Sequence, residues 1–343
     1  MCLSGANLVP EYFFDLPADD QRALLEVGSR ALGMQPFILE KDVWLCWALS
    51  CLFGISDKPD IAFKGGTSLS KVYKTIDRFS EDVDITIDYR SSAAKLTGKE
   101  SRSQISRLND RIKAYVLEFT SMTVLPHFEQ ALDKQFGTGF GRVELLDEGE
   151  KVLLHYPSVV QNLGNYLSPS ILLEFGGRNI TEPNEKHLVN PLLVSVSSEV
   201  SYPEAEVTVL AWERTYWEKA TLIHVECNRP KPRNNADRMS RHWYDLYRMS
   251  FDLDRIISEP CYKLLQDVVN HKSAFFHYSF ARYHECLTGD LKLVPGNDLR
   301  QVLERDFDEM TEAAMFYTTP PPFTSILEHL QSVQEAINDN ARG

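Results

Sequence analysis

Residues 82–88 read Asp-Val-Asp-Ile-Thr-Ile-Asp, a strict alternation in which Val83, Ile85 and Ile87 are apolar while Asp82, Asp84, Thr86 and Asp88 are polar. Successive side chains of a strand point to opposite faces, so this segment predicts a strand with one face in a core and acids on the other. Asp82 and Asp84 then project from the same face, within reach of one divalent cation. Two carboxylates so close destabilise a fold unless a cation or a basic side chain offsets them. Mg²⁺ suits the pair because it prefers oxygen ligands and is held by one or two carboxylates plus substrate phosphates. The competing reading is an exposed strand edge decorated with acids, which Asp88, continuing the same face, fits equally.

The stretch just upstream weighs on that choice. Ile61-Ala62-Phe63 predicts a short buried strand ending at Gly65-Gly66, with a helix over 67–76. Glycines at that point let the backbone approach a phosphate, and the hydroxyls and N–H groups of Thr67 and Ser68 can hydrogen-bond its oxygens, although a Gly-Gly turn is often simply a turn. Arg78 sits directly before the carboxylate strand. It either neutralises the acids or touches phosphate, or it pairs with Glu81 or Asp77. Glu174 interrupts the apolar run Ile171-Leu172-Leu173-Glu174-Phe175. A charge there is costly if buried alone, so Glu174 faces solvent or joins the metal as a third carboxylate. A two-metal site would use such acids to bring an attacking hydroxyl in line with an α-phosphate and to stabilise a leaving pyrophosphate.

Hydrophobic spacing organises the rest. Helices are expected over Arg22 to Leu32, after acidic N-cap chemistry at 16–20, and over 37–53, the latter rich in Trp44 and Trp47, an aromatic stripe that reads as core rather than as a base-stacking platform. Lys41 and Asp42 on that helix are expected to brace the neighbouring lobe. Residues 99–132 form a long polar helical stretch with Ile105, Leu108, Ile112, Val116 and Phe119 on one side. Strands are expected at 141–146, 152–156, 170–175 and 207–210, and helices at 217–225, 235–249, 254–269, 299–316 and 323–337. With 343 residues there is chain for about two domains. The fold class is therefore α/β (α+β) and bilobed. N-terminal helices (1–58) pack on a mixed-sheet core with flanking helices (59–210), and a C-terminal helical lobe follows (211–343).

Charge and composition exclude several classes. With 36 basic and 49 acidic residues the net charge is −13, so the whole molecule does not attract nucleic acid as a generic DNA binder would. One segment departs from this: Arg229, Lys231, Arg233, Arg238 and Arg241 face a single Asp237, a local basic patch able to grip an RNA backbone, or a solvated surface. The best apolar run, 43–53, is too short to span a bilayer and is interrupted by Ser50. Met1, Cys2, Leu3 and Ser4 lack a basic region before an apolar one, so a secretory signal is not expected and the location is read as cytoplasmic. The six cysteines include no C-x-x-C pair and the nine histidines no zinc spacing, which favours buried free thiols. No Walker A loop, Gly-x-Ser-x-Gly elbow or Gly-x-Gly-x-x-Gly fingerprint is present.

Taken together, Glu40-Lys41-Asp42, Phe63-Lys64-Gly65-Gly66-Thr67-Ser68, Arg78-Phe79-Ser80-Glu81-Asp82-Val83-Asp84, Lys219 in Tyr216-Trp217-Glu218-Lys219, and the run from Arg241 through Asp245 to Tyr247 resemble the AbiEii/AbiGii toxin family. That family is a branch of the DNA polymerase beta-like nucleotidyltransferases, and the likeness spans about residues 38–250. Fifteen residues separate Gly66 from Asp82, slightly more than the superfamily's dozen or so, which implies a helix one turn longer than usual. The resemblance implies Mg²⁺-dependent transfer of a nucleotide from a nucleoside triphosphate to RNA, in some members to the 3′ end of tRNA. It also implies a toxin of a toxin-antitoxin or phage-defence system, and hence a cognate antitoxin. By the same resemblance Asp82, Asp84, Lys219 and Asp245 are catalytic, Asp82 and Asp84 hold metal, and Gly65, Gly66, Thr67, Ser68 and Arg78 bind nucleotide. From the residues alone, Lys219 equally fits a solvated lysine paired with Glu218 or Glu213, and Asp245 a helix partner of Arg241, His242 or Arg248. The alternatives are a catalytically silent RNA- or protein-binding module on the same fold, or phosphotransfer to a protein.

Overall fold

The computed structural model describes residues 10–92, 96, 100–160, 168–233 and 238–342. Met1, Cys2, Leu3, Ser4, Lys99, Asn235 and Asp237, on which expectations above rest, lie outside those residues. In α1 (Ala18–Leu32), Asp19 and Asp20 sit at the positive end of the helix, and Gly33 closes it in the left-handed region at φ 69°. Pro36 opens α2 (Pro36–Phe53), where its missing N–H costs nothing. α2 is apolar nearly all round and buried along most of its length, so its charges must be satisfied internally. Glu40 accepts from Ser158 Oγ at 2.5 Å and from the Val159 N–H at 2.6 Å. Lys41 donates to Glu81 at 2.9 Å, while Asp42 pairs with Lys71 and accepts from the Leu192 N–H at 2.7 Å. The triplet ties α2 to four other segments. Trp44 stacks on Tyr156 with centroids 4.8 Å apart, and Trp47 donates to Gln135 at 2.7 Å, so the aromatic stripe is core.

β1 (Glu11–Tyr12) and β8 (Val200–Ser201) make a small parallel pair. Among the described residues, a mixed seven-stranded sheet is built from β2 (Ile61–Lys64), β3 (Asp82–Asp88), β4 (Arg142–Leu146), β5 (Lys151–His155), β6 (Ser170–Asn179), β7 (Asn184–Val189) and β9 (Ala205–Leu210), in the order β4-β5-β6-β3-β2-β9-β7. β3 is central, antiparallel to β2 and parallel to β6. Val83, Ile85 and Ile87 are fully buried in the core that α2, α4 (Arg102–Phe119) and α5 (Leu125–Phe136) help build, each contributing roughly 1.5–3 kcal/mol on leaving water. A one-residue slip would drive the aspartates into that core, which fixes the register.

Several expectations needed correction. The helix after the glycines, α3 (Gly65–Lys71), is short rather than one turn long in excess. Lys74 turns left-handed at φ 50° and the Thr75 N–H bonds Leu69 O, so the additional residues form an irregular segment that carries Arg78 inward. Between α4 and α5 the helix widens into a π turn over Thr120–Val124. Pro126 removes a donor and its ring would meet the carbonyl four residues back, which that wider turn accommodates. β7 went unrecognised because Asn184, Glu185 and Lys186 are exposed edge residues without an apolar face. Asp88 does not continue the acid face: its carboxylate is buried against Arg90 and Thr181 at a register shift in β3.

α6 (Trp212–Cys227) follows β9 directly and leads into α7 (Ser240–Met249), α8 (Leu253–Ile257), α9 (Glu259–Phe275), α10 (Asn297–Glu312) and α11 (Phe323–Arg342). The single helix expected over 254–269 is split at Ser258 because Pro260 begins a new first turn. These helices share a second core, with Trp217, Trp243, Leu246, Leu303 and Leu330 fully buried, and Leu69 and Ile76 packed into it. Cys46, Cys51, Cys227, Cys261 and Cys286 are free thiols. No helix among the described residues is long and apolar enough to cross a membrane.

Candidate active site

β2 and β3 meet the helices at a cleft of about 380 Å³. The turn Lys64-Gly65-Gly66, Ser80, Asp82 and Asp84 line it from the sheet, and Lys219, Arg241, His242 and Lys272 from the helices. Thr215, Glu218, Lys219, Leu222, Val225 and Glu226 recur at spacings of three and four, so one face of α6 forms its floor. Thr215 Oγ1 and His242 Nδ1 are buried there without a hydrogen-bond partner. An unmade hydrogen bond of this kind costs roughly 1–3 kcal/mol, which a polar ligand in the cleft would recover.

Asp84 stands opposite Lys64 in the β2–β3 ladder. Gly65 adopts φ 79°, and a Cβ added to it would lie 2.0 Å from Asp84 Oδ2, so only glycine lets this carboxylate occupy its place. Burial pushes the Asp84 carboxyl above the ordinary range; Lys64 pulls it back and Glu174 adds to the rise. Asp82 is likewise raised, by burial first and then by Glu81, with Arg241 opposing at 3.9 Å. In both acids burial disfavours the charged form, a cost that an incoming cation would relieve. Glu174 stands beside Asp84 in register on β6, with its carboxylate 3.4 Å from Lys151 Nζ. No group of three or more His, Cys, Asp or Glu side chains placed for a metal occurs among the described residues. A Gly65→Ala protein is expected to lose about 1–2 kcal/mol to backbone strain and far more activity than that implies, because Asp84 is displaced. Thermal melting beside an activity assay measures the two effects separately.

Thr67 and Ser68 are buried and turned away from the cleft. Thr67 Oγ1 donates to Asp82 O at 2.5 Å and Ser68 Oγ to Gly65 O at 2.9 Å, so these hydroxyls fix the turn and the start of β3. Arg78, Lys219 and Asp245 converge instead. Asp245 is fully buried and accepts a two-pronged bond from Arg78, Nε at 2.7 Å and Nη2 at 2.8 Å, and a third from Lys219 Nζ at 2.8 Å. Burial would raise the Asp245 carboxyl, but Arg78 and Lys219 outweigh it and hold it well below the carboxylate range. Neither Glu81 nor Asp77 is Arg78's partner, and Asp245 pairs across elements rather than along its own helix.

Two cations that the sequence did not single out border the same cleft. Lys64 Nζ lies 3.7 Å from Glu218 Oε2, and Lys272 Nζ donates to the Glu218 carbonyl at 3.1 Å. Burial pushes the Lys272 ammonium down to about 8 despite the pull of Glu218. Lys272 comes from α9, beyond every motif above, and nothing in its local sequence marks it. The basic run is largely neutralised by acids. Arg229 and Arg233 both clasp the buried Glu226 at 2.8 and 2.6 Å, Arg238 donates to Glu81 at 2.7 Å, and Arg241 leans on Asp82. Arg233 and Arg241 line the cleft, while Lys231 is exposed outside it.

The arrangement joins an acid pair at a glycine turn to flanking cations, a site able to hold an anionic, phosphate-bearing substrate together with an oxygen-preferring cation. A family model described as nucleotidyl transferase AbiEii toxin, type IV toxin-antitoxin system, matches residues 47–329. Among solved structures, the nucleotidyltransferase toxin MenT4 from Mycobacterium tuberculosis H37Rv is similar at 18% identity and a TM-score of 0.45, over 92% of this chain and 97% of that one. Curated proteins yield no match.

Proposed function

The chain belongs to the AbiEii family of nucleotidyltransferase toxins of type IV toxin-antitoxin systems, and from that premise we propose that it moves a nucleotide from a nucleoside triphosphate to an RNA acceptor, the tRNA 3′ end first among candidates, with Mg²⁺ and under the control of a cognate antitoxin. The supporting observation is the meeting of Asp82, Asp84, the Gly65 turn, Lys64 and Lys272 in one cleft. Asp82 and Asp84 would hold Mg²⁺; their oxygen-only donor set, raised carboxyls and glycine cradle fit that ion. Bound there, the ion would supply charge stabilisation at the reacting phosphate.

The chain's own residues divide the remaining work. Lys64 and Lys272 neutralise the triphosphate, and a lysine suits this because it is a compact charge on a flexible stem. Lys219, committed to Asp245, acts as a fixed charge at the cleft floor. Gly65 and Gly66 leave room for the phosphates to approach the backbone. Asp245, held ionised between two cations, is suited to locking Arg78 and Lys219 in place and poorly suited to taking up a proton. Arg233, Arg241 and the exposed Lys231 are the basic residues placed to meet the acceptor's backbone.

The test is incubation of the protein with Mg²⁺, total RNA and each α-labelled nucleoside triphosphate in turn, beside induced expression scored for growth arrest. Label must appear on RNA; label on protein, or retention of RNA without label, replaces this reading. Lys272 adds a pH signature. Its ammonium is charged below about 8 and loses its proton above, so nucleotide affinity is expected to hold up to about pH 8 and weaken beyond it. Lys272→Ala should bind roughly tenfold more weakly near neutrality and lose that pH step, while Lys272→Arg should bind without the step. Calorimetric titration across pH 6–10 measures both.

A further inference from the structure

The charge in the cleft is uneven: Asp82, Asp84, Lys64, Lys219 and Lys272 gather toward the sheet, while Glu226 and Arg233, which also line it, are paired with each other. At 1.5 Å per residue, Val225 lies about 9 Å further along α6 than Lys219, and around Leu222 and Val225 the wall becomes apolar, closed by Phe276, Tyr278 and Tyr283. Tyr278 is half exposed at this wall. It stacks on Phe280 at 5.4 Å and 15°, Phe280 lies under the Arg229 guanidinium at 4.7 Å, and Arg229 is clasped by the buried Glu226. Glu226, Arg229, Phe280 and Tyr278 thus form a supported column that ends in an aromatic ring bordering the cleft. An exposed ring held this firmly, beside a site for phosphates, has the chemistry of a stacking surface for a planar heterocycle.

Resting on the nucleotide-transfer reading above, the geometry points to Tyr278 as the platform on which the donor nucleotide's base stacks, with Leu222, Val225 and Tyr283 completing the base subsite. The phosphates then lie toward Lys64, Lys272 and the aspartates, and the base toward Tyr278. Stacking is tolerant of base identity, since every base offers a π-face, so the subsite supplies affinity for all four nucleotides. Part of the basic run thereby gains a role that its charge alone did not suggest: Arg229 is a strut under the column.

Tyr278→Ala, Tyr278→Phe and the unaltered protein are compared by calorimetric titration with each of the four nucleoside triphosphates and with inorganic tripolyphosphate, all in Mg²⁺, and with a short single-stranded RNA. The expected result is a loss of about tenfold or more in nucleoside triphosphate affinity for Tyr278→Ala, unchanged tripolyphosphate affinity, and recovery in Tyr278→Phe. Equal weakening for nucleotide and tripolyphosphate, or no weakening for either, overturns the base subsite while leaving nucleotide binding intact. Weakening confined to the RNA assigns the ring to the acceptor and also overturns it. Failure of the unaltered protein to bind any nucleotide removes the underlying reading itself, a distinct outcome because no affinity exists to be lost. Matching melting curves for the three proteins show that the half-exposed ring is not needed for folding.

Discussion

Replacement of Asp84 by asparagine is expected to lower nucleotide transfer about a thousandfold or more and to abolish growth arrest, in a protein that still folds. The size follows from the several kcal/mol that the proposed cation would contribute at the reacting centre, each ~1.4 kcal/mol being a factor of ten. The fold survives because the Asp84 carboxylate, unlike its backbone, makes no hydrogen bond or ion pair among the described residues and is raised by burial, with Lys64 opposing. A carboxyl raised in the folded state costs stability above its folded pKa and stops doing so as the pH falls below its unfolded value. Asp84→Asn should therefore melt at the same temperature as the parent or higher at neutral pH, with the difference closing toward pH 4. Transfer assays and melting curves on one preparation decide the matter. A variant that transfers nucleotide at the parental rate takes the acid pair out of the chemistry.

The second large effect is structural. Asp245→Ala is expected to cost about 3–5 kcal/mol, because Arg78 and Lys219 are left buried and unpaired. Asp245 is held below its ordinary carboxylate range, so its stabilising contribution is complete above the unfolded pKa and is lost as the pH falls through the lower folded value. Urea unfolding from pH 7 to pH 2 should show a gap between parent and variant that is constant down to about pH 4 and shrinks only in stronger acid. Stabilities within about 1 kcal/mol of each other at pH 7 would reduce the hub to the worth of a surface pair. Activity is expected to fall as well, since Lys219 loses the partner that orients it at the cleft.

What the sequence disclosed and what it withheld divide along the range of the interactions. The alternation from Asp82 to Asp88 is local, and hydrophobic burial enforces it, so the strand, its faces and the projection of both aspartates were readable in advance. Arg78 and Asp245 are 167 positions apart. Each has plausible neighbours nearby, and nothing local ranks the distant partner above Glu81 or Arg241. Thr67 and Ser68 were open for a related reason: hydroxyls near a glycine turn can bond a phosphate or nearby backbone, and here both bond backbone carbonyls. The basic run looked like a surface for nucleic acid because one-dimensional charge counting omits Glu226 and Glu81, which fold onto it. Glu226 three residues before Arg229 was a local sign of that pairing, whereas Glu81 was not.

The cleft draws its walls from residues 64–84, Asn179, 215–233, Arg241, His242 and 272–283, and the bond from Arg78 to Asp245 braces it. No leading portion of the polypeptide that stops short of Tyr283 contains all of these. A chain still on the ribosome therefore has no complete cleft until the segment carrying Tyr283 has left the exit tunnel. A product terminated before Tyr283 likewise lacks part of the cleft wall.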